Sequence, residues 1–245
     1  MTASTTLNLE DANARLDAQD AGARIRWAAQ AFGDGLAMTS SFGAQSAVML
    51  HLVAQNAPGI PVVWIDTGYL FPETYRFAEE LRQRLKLNLR VFSADTTPAR
   101  FEAIHGKTWE YAEGLDQYHR TFKIEPMKRA IEELGITCWL AGLRAEQTDH
   151  RATLRLVERQ DGVYKVHPIL NWTRKQVGGY LSAHDLPYHP LVEQGYATIG
   201  DTHSTRKVTA EMDERDGRFT GLRQECGLHL PETQEENESL GSSGL

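Results

Sequence analysis

The sequence holds little cysteine: two residues in 245, Cys138 and Cys226. Two thiols cannot build a disulfide framework, a four-thiolate zinc site or a four-thiolate iron–sulfur cluster. Positive charge is not in excess either. Lys and Arg number 26 against 33 Asp and Glu, a formal net charge of −7. That balance disfavours coating a nucleic acid, although a local basic pocket survives the averaging. No run of about 18 apolar residues occurs, so no membrane-spanning helix is expected. The opening residues, MTASTTLNLEDANARL, lack a basic stretch followed by an apolar one. A secretory leader is therefore not expected, and the cytoplasm, where thiols stay reduced, is the expected compartment. Several motifs are missing. No Gly-x-Gly-x-x-Gly follows the first strand pattern, and no Gly-x-x-x-x-Gly-Lys-Ser/Thr is found, which argues against Rossmann and Walker sites. Nine histidines form no His-Glu-x-x-His, and Cys-x-x-Cys is absent, so no metal site is expected.

What is present is a chain of ordinary composition, 41% hydrophobic and 24% charged, long enough to bury a core without staples. Its periodicities alternate. Residues 7–32 read as helical, with Leu9, Ala12 and Leu16 on one face, Trp27, Ala28, Ala31 and Phe32 in a second group, and Gly22 as the break. Strand patterns fall at 36–40, 61–66, 88–93 and 136–141. Helix patterns fall at 46–55, at 72–86 with Pro72 in the first turn, at 126–134 ended by Gly135, and from Thr173 to about residue 183. Thr97-Pro98 reads as a cap with a first-turn proline, and Gly106 as the stop. Asp161-Gly162 marks a hairpin between 153–159 and 163–167. Strands alternating with helices predict an α/β fold: a mainly parallel twisted sheet flanked by helices. The expected organisation is one domain over 1–230, with N-terminal helices in 1–35 and a mobile segment in 206–230, followed by a disordered tail over 231–245. The tail carries Glu232, Glu235, Glu236 and Glu238. The net −7 less these −4 leaves −3 on the other 230 residues.

In open parallel sheets, ligands bind beyond the carboxyl ends of the strands. Four unusual segments fall there. Ser40-Ser41-Phe42-Gly43-Ala44-Gln45-Ser46 runs straight from a strand into a helix. Its small hydroxyl and glycine residues suit a phosphate or sulfate at a helix N-terminus, or form an ordinary capped turn. Asp66-Thr67-Gly68 ends the second strand, where Asp66 either accepts from a ribose or adenine donor or orders the turn. Ser93-Ala94-Asp95-Thr96-Thr97 reads as a helix cap. Gly142-Leu143-Arg144-Ala145-Glu146-Gln147-Thr148-Asp149-His150-Arg151 places Arg144 where a guanidinium fork would meet an anionic group, or leaves it in a solvated loop with an internal ion pair. Together the four segments favour an anionic nucleotide.

Cys138 sits in an apolar strand pattern and reads as a small buried hydrophobe. Cys226, in Gln224-Glu225-Cys226-Gly227-Leu228-His229, reads as exposed and mobile. Free cysteine has a pKa of about 8.5, and Arg215, Arg218, Arg223 and a protonated His229 would raise its thiolate fraction while Glu225 opposes them. An incidental thiol is the other reading. With Cys138 buried, a nucleophilic Cys226 needs an external thiol, or the same cysteine of a second subunit, to release what it accepts.

From about residue 36 to 229 the motifs and their order resemble the sulfonucleotide reductases, in their thioredoxin-dependent, phosphoadenylylsulfate (PAPS)-using branch. The resemblance rests on Ser40-Ser41-Phe42-Gly43-Ala44-Gln45, on Asp66-Thr67-Gly68 with Phe71-Pro72-Glu73-Thr74, and on Lys123-Ile124-Glu125-Pro126-Met127. It continues through Gly142-Leu143-Arg144, Tyr188-His189-Pro190-Leu191, Gly200-Asp201-Thr202-His203 and Glu225-Cys226-Gly227-Leu228-His229. It implies an adenine-nucleotide α-hydrolase-like sheet and an enzyme of sulfate assimilation. Cys226 would attack the sulfonucleotide sulfur, and adenosine 3′,5′-bisphosphate would leave. Reduced thioredoxin, or glutaredoxin in its place, would release sulfite from the S-sulfocysteine. Lys123, Arg144, Arg215 and Arg218 would surround the phosphate and sulfate oxygens. Ser40, Ser41, Gly43, Gln45, Asp66 and Thr67 would hold the nucleotide, with His229 in the mobile segment that folds over it. A homodimer is implied; nucleic acid and membrane partners are not.

Related adenylylsulfate (APS) reductases hold a [4Fe–4S] cluster through a Cys-Cys pair before Lys-x-Glu-Pro and a Cys-x-x-Cys after Ile-Gly. Here those places read Tyr118-His119 and Asp201-Thr202-His203-Ser204, so no cluster is expected. A second arginine that the family pattern places after Arg144 is Ala145 here. The alternatives are APS reduction without a cluster, an ATP-dependent adenylating enzyme of the PP-loop group, and a nucleotide-binding regulator with a redox-sensing cysteine. The PP-loop motif Ser-Gly-Gly-x-Asp-Ser reads Ser-Phe-Gly-Ala-Gln-Ser here, without the second glycine and the aspartate.

Overall fold

Each strand–helix–strand crossover returns the chain in the same direction, which is why alternating periodicities produce a mainly parallel sheet. The computed structural model describes residues 7–208. Among them six strands form one sheet: β1 (Leu36–Thr39), β2 (Pro61–Asp66), β3 (Asn88–Ser93), β4 (Cys138–Leu140), β5 (Val157–Gln160) and β6 (Val163–Val166). Their spatial order is β3-β2-β1-β4-β6-β5. Every neighbouring pair is parallel except the β5–β6 hairpin. Asp161 and Gly162, both at positive φ, make its two-residue turn, as the Asp-Gly signal predicts. The order reverses between β1 and β4, and a crevice opens at the carboxyl ends of that pair.

The helices start where side chains satisfy their orphan N–H groups. Asn8 Oδ1 accepts from Glu10 and Asp11 to begin α1 (Leu9–Asp17), and Asp20 Oδ1 accepts from Ala23 to begin α2 (Ala21–Phe32). The break between them is therefore at residues 18–20, not at Gly22. Gly22 lies inside the first turn of α2, where a Cβ would stand 2.8 Å from Asn56 Oδ1. Next come α3 (Ala47–Asn56), α4 (Pro72–Leu85) and α5 (Pro98–His105), the last capped by Thr97 and stopped at Gly106. The predicted helix at 126–134 is the second half of a longer path. α6 (Ala112–His119) passes through a π turn at Arg120–Ile124 into α7 (Glu125–Leu134). The widened turn precedes Pro126, which has no N–H to offer the carbonyl four residues back. A four-residue α8 (Asp149–Ala152) and α9 (Arg174–Ala183), with Thr173 and Gln176 forming its capping box, complete the set. The strand predicted from residue 153 starts at Val157, because Thr148 caps α8 and its last turn uses 149–154.

Alternation along the central strands divides the core. Leu36 and Met38 of β1 pack with Leu50, Val53, Phe77, Leu81 and Val177 on one face. Ala37 turns the other way, with Val63, Trp139, Met127 and Ala130 beneath α7. Each fully buried leucine here stabilises the fold by about 1.5–3 kcal/mol. Cys138 is buried in β4 with its thiol pKa pushed up by desolvation, the inert role expected of it. The N-terminal helices belong to this core through Ala12, Leu16, Ile25 and Ala28. They also carry a buried Arg24, which donates to Leu16 O, Asp17 O, Pro168 O and Asn171 Oδ1. No helix among the described residues is long and apolar enough to cross a membrane.

Candidate active site

The crevice at the β1–β4 switch is a cavity of about 310 Å³, a size suited to a small ligand. Its first wall is the loop after β1. Ser40 N–H continues the ladder to Val63 O at 3.0 Å, and Ser40 Oγ accepts from Phe42 N–H at 3.2 Å. Phe42 takes a positive φ of 50°, held there because its ring is buried against Trp64 at 4.9 Å. Ser46 N–H returns to Gly43 O at 3.1 Å, after which α3 begins. Ser40, Ser41, Gly43, Gln45 and Ser46 all line the cavity. So the loop presents small side chains and a helix N-terminus to one space, the arrangement that favours an anion. Opposite it runs residues 197–201. The two walls are close: a Cβ on Gly43 would be in van der Waals contact with Ile199 O at 3.4 Å. Ser46 Oγ and Thr198 Oγ1, one on each wall, are buried without a protein hydrogen-bond partner.

The second wall follows β4. Ala145 N–H bonds Leu170 O at 2.8 Å, pinning the loop to the 168–171 segment that Arg24 holds. Arg144, only 2% exposed, reaches back to Gln45 Oε1 at 3.3 Å and pairs with Glu146. Gln147 Oε1 accepts from Arg144 N–H at 3.1 Å and from the Arg151 guanidinium. Arg151 is buried and lines the same cavity. The short α8 turns the chain back and delivers it. A second buried guanidinium thus reaches the same wall from seven residues after Arg144.

The floor is ionic. Lys123, carried by the π turn and 8% exposed, places Nζ 2.6 Å from Asp201 Oδ2. Asp201, 1% exposed, also accepts from Thr67 Oγ1 at 2.6 Å. Beside them lies an aromatic group. Lys123 Nζ is 5.6 Å from the Tyr118 ring centre, and His203 stacks on Trp109 at 4.1 Å. Burial first, and the Asp201 charge second, hold the Tyr118 phenol well above its ordinary pKa. Tyr118, His119, Asp201 and Ser204, the positions that the resemblance compares with cluster ligands, are all buried in this region. Oxygen and imidazole donors do not suit a [4Fe–4S] cluster, which is held by thiolates. Among the described residues no three His, Cys, Asp or Glu side chains converge as a metal site.

Of the residues singled out from sequence, Ser40, Ser41, Gly43, Gln45, Thr67, Lys123 and Arg144 meet around one cavity. Asp66 does not line it. Its Oδ1 accepts from Gly68 N–H at 2.9 Å and from Tyr75 O–H at 2.7 Å, ordering the turn after β2. Arg215, Arg218, Cys226 and His229 lie outside the described residues, as do most of the 206–230 segment and all of the 231–245 tail. Arg151, Gln147, Thr198 and Asp201 were not singled out. Their signal was position: each stands in a segment already marked as unusual or next to one. His189 is buried and structural. Its Nδ1 accepts from Leu191 N–H at 3.1 Å, so Nε2 carries the proton toward Thr74 Oγ1 at 3.0 Å. Burial lowers its pKa to about 4.

Comparison with known proteins agrees with this geometry. The phosphoadenosine phosphosulfate reductase domain model matches residues 35–207. The phosphoadenosine 5′-phosphosulfate reductase of Synechocystis sp. is 53% identical over 98% of both chains. That of Photobacterium profundum is 49% identical over 96% of this chain and 92% of its own. Among solved structures, the phosphoadenylyl-sulfate reductase from Candida auris, in a phosphate complex, superposes with a TM-score of 0.72. It is 29% identical and covers 82% of this chain and 98% of its own. An FMN adenylyltransferase from Candida glabrata, at 16% identity, 79% and 68% coverage and a TM-score of 0.56, shares the fold alone.

Proposed function

This chain belongs to the phosphoadenosine phosphosulfate reductase family of enzymes, and from that premise we propose that it reduces PAPS to sulfite through an S-sulfocysteine on Cys226. The observation that carries the reading is the convergence of Lys123, Arg144 and Arg151 with the 40–46 loop in one cavity at the strand switch point. Three cations, of which Lys123 is paired with Asp201 and Arg144 with Glu146, together with a helix N-terminus suit a ligand with several anionic groups. The apolar side chains lining the same cavity, Met38, Met49, Val63 and Leu143 among them, supply the surface on which a base packs.

The reaction divides in two. The Cys226 thiolate attacks the sulfonate sulfur; the S–O bond to the phosphate breaks, and adenosine 3′,5′-bisphosphate leaves with the electron pair. Lys123, Arg144 and Arg151, joined by Arg215 and Arg218 of the C-terminal segment, stabilise the charge developing on the leaving phosphate. Reduced thioredoxin, or glutaredoxin, then attacks the Cys226 sulfur with one thiolate and expels sulfite. Its second thiol resolves the mixed disulfide, restores Cys226 and leaves as the oxidised dithiol. The electrons therefore come from the dithiol partner, and no bound cofactor or cluster is required. Segment 206–230, carrying Arg215, Arg218, Cys226 and His229, closes over the nucleotide, and 231–245 stays outside as an acidic tail. The assignment to sulfate assimilation, the cytoplasmic setting and a homodimeric assembly belong to the same reading.

The experiment is sulfite release from PAPS and from APS with reduced thioredoxin, for wild type and Cys226→Ser. Sulfite from PAPS that vanishes in the variant is expected. Release from APS at a comparable rate would overturn the substrate assignment. ATP cleavage with an acceptor, or nucleotide binding without turnover, would overturn the reaction.

A further inference from the structure

We infer that Asp201 is the positioning residue for Lys123, and that its carboxylate, rather than the lysine's own backbone setting, fixes where the ammonium meets the substrate. This rests on the function proposed above and adds a residue to it. Lysine is a poor choice for a fixed charge, being a point cation on a flexible stem. Lys123 is also nearly buried, a setting in which an ammonium without a counter-charge is costly to hold and swings to water. The structure supplies both missing conditions through one carboxylate.

Asp201 itself is held from two further elements. Its Oδ1 accepts from Thr67 Oγ1 at 2.6 Å, and Thr67 Oγ1 in turn accepts from Tyr69 N–H at 3.3 Å. Its backbone bridges to Leu70, and Thr202 N–H bonds Tyr69 O at 2.8 Å. The carboxylate plane is therefore set by the end of β2 and by the 199–204 loop before Lys123 enters. Oδ2 then meets Nζ at 2.6 Å. An ammonium has three donors, so a bond to Asp201 does not exhaust it. Lys123, Thr67 and Asp201 all line the cavity, so the pair sits at the wall where an anion would lie. The same contact aims the ammonium at the cavity wall ahead of the reaction, which is what preorganisation requires.

The test is steady-state sulfite release from PAPS by wild type, Asp201→Asn, Lys123→Ala and the double variant. Asp201→Asn keeps the shape and the acceptor for Thr67 but removes the charge. It is expected to lower kcat about 30-fold with KM within about threefold, because the loss falls on the transition state. Lys123→Ala should fall at least as far, and the double variant no further than Lys123→Ala, because Asp201 acts through the lysine. An unchanged kcat in Asp201→Asn, a loss confined to KM, or losses that multiply in the double variant would overturn the inference. Should Asp201→Asn fail to fold, Thr67→Val serves. It loosens the carboxylate while leaving the ion pair, and should lower kcat about threefold to tenfold in the wild-type background and not in Lys123→Ala. An equal loss in both backgrounds overturns the inference as well. Wild-type protein that releases no sulfite overturns the proposed function and the inference together; wild-type activity with an indifferent Asp201→Asn overturns the inference alone.

Discussion

The Arg144 guanidinium reaches Gln45 Oε1 at 3.3 Å, across the crevice where the strand order reverses. One residue follows β1 and the other follows β4, 99 positions apart, and their contact closes the cavity into a single site. Removing the amide by Gln45→Ala leaves Arg144 tied to Glu146 but no longer held toward the 40–46 loop. The expected result is a rise in KM for PAPS of about fivefold, near the net value of one ordinary hydrogen bond, with kcat changed less. Steady-state kinetics check it, and an unchanged KM would show the contact to be incidental.

Arg151 is the cation that the spacing of the motif did not suggest. Arg151→Ala is expected to weaken binding of adenosine 3′,5′-bisphosphate about 10- to 100-fold by calorimetry, because a buried charge-assisted contact to an anion is lost. The melting temperature should move little if Gln147 keeps its bond to Arg144 N–H. Arg151→Lys should recover only part of the affinity, since it restores the charge without the fork.

His189 links stability to pH. Its folded pKa is lowered to about 4 against an ordinary 6.5, so the unfolded chain binds the proton first. The stabilisation is complete above pH 6.5, shrinks as pH falls from there, and is gone below about pH 4. The shift corresponds to roughly 3 kcal/mol at its limit. Urea unfolding of wild type between pH 7 and pH 4 should show this loss over and above the carboxylates. In His189→Gln the baseline is lower and the slope over that window flatter. Equal slopes would show that another group is responsible.

Gly114 governs how α6 delivers Lys123. A Cβ there would stand 2.3 Å from the Thr108 carbonyl oxygen and 2.5 Å from the Tyr111 ring. Backbone cannot yield as a flexible side chain can, so Gly114→Ala should destabilise the protein by about 1–3 kcal/mol through overpacking, despite alanine's better helix propensity. Thermal unfolding reads the loss directly. A gain in stability would mean that the packing of α6 on residues 108–111 is looser than it stands here.

Much of the frame was legible in the residues. Pro72, Thr97-Pro98, Gly106, Gly135, Asp161-Gly162 and Thr173 punctuate the chain where the structure does, because caps and positive-φ turns are decided within a few residues. The break between α1 and α2 was misread because an aspartate cap outweighs a glycine that a neighbouring helix needs for close approach. The path through α6 was not legible, since a π turn ahead of a proline has no periodicity of its own. Asp66 shows the limit for sites. Its residue type suited a ligand or a turn equally, and only the positions of Gly68 N–H and Tyr75 O–H assign it to the turn.

The sequence by itself determined the alternation of strands and helices, the four segments at the carboxyl edge of the sheet, the scarcity of thiols and the family resemblance that follows from ordered motifs. Local chemistry and spacing suffice for these. Only the tertiary structure decided that Arg151 lines the same cavity as Arg144, that Thr67 and Lys123 share Asp201, and that Arg24 braces the segment behind Arg144. Those contacts join residues 78 to 144 positions apart. Which partners such distant residues find is set by the strand order and by burial, where an unpaired charge is too costly to leave, and neither quantity exists in the chain until it folds.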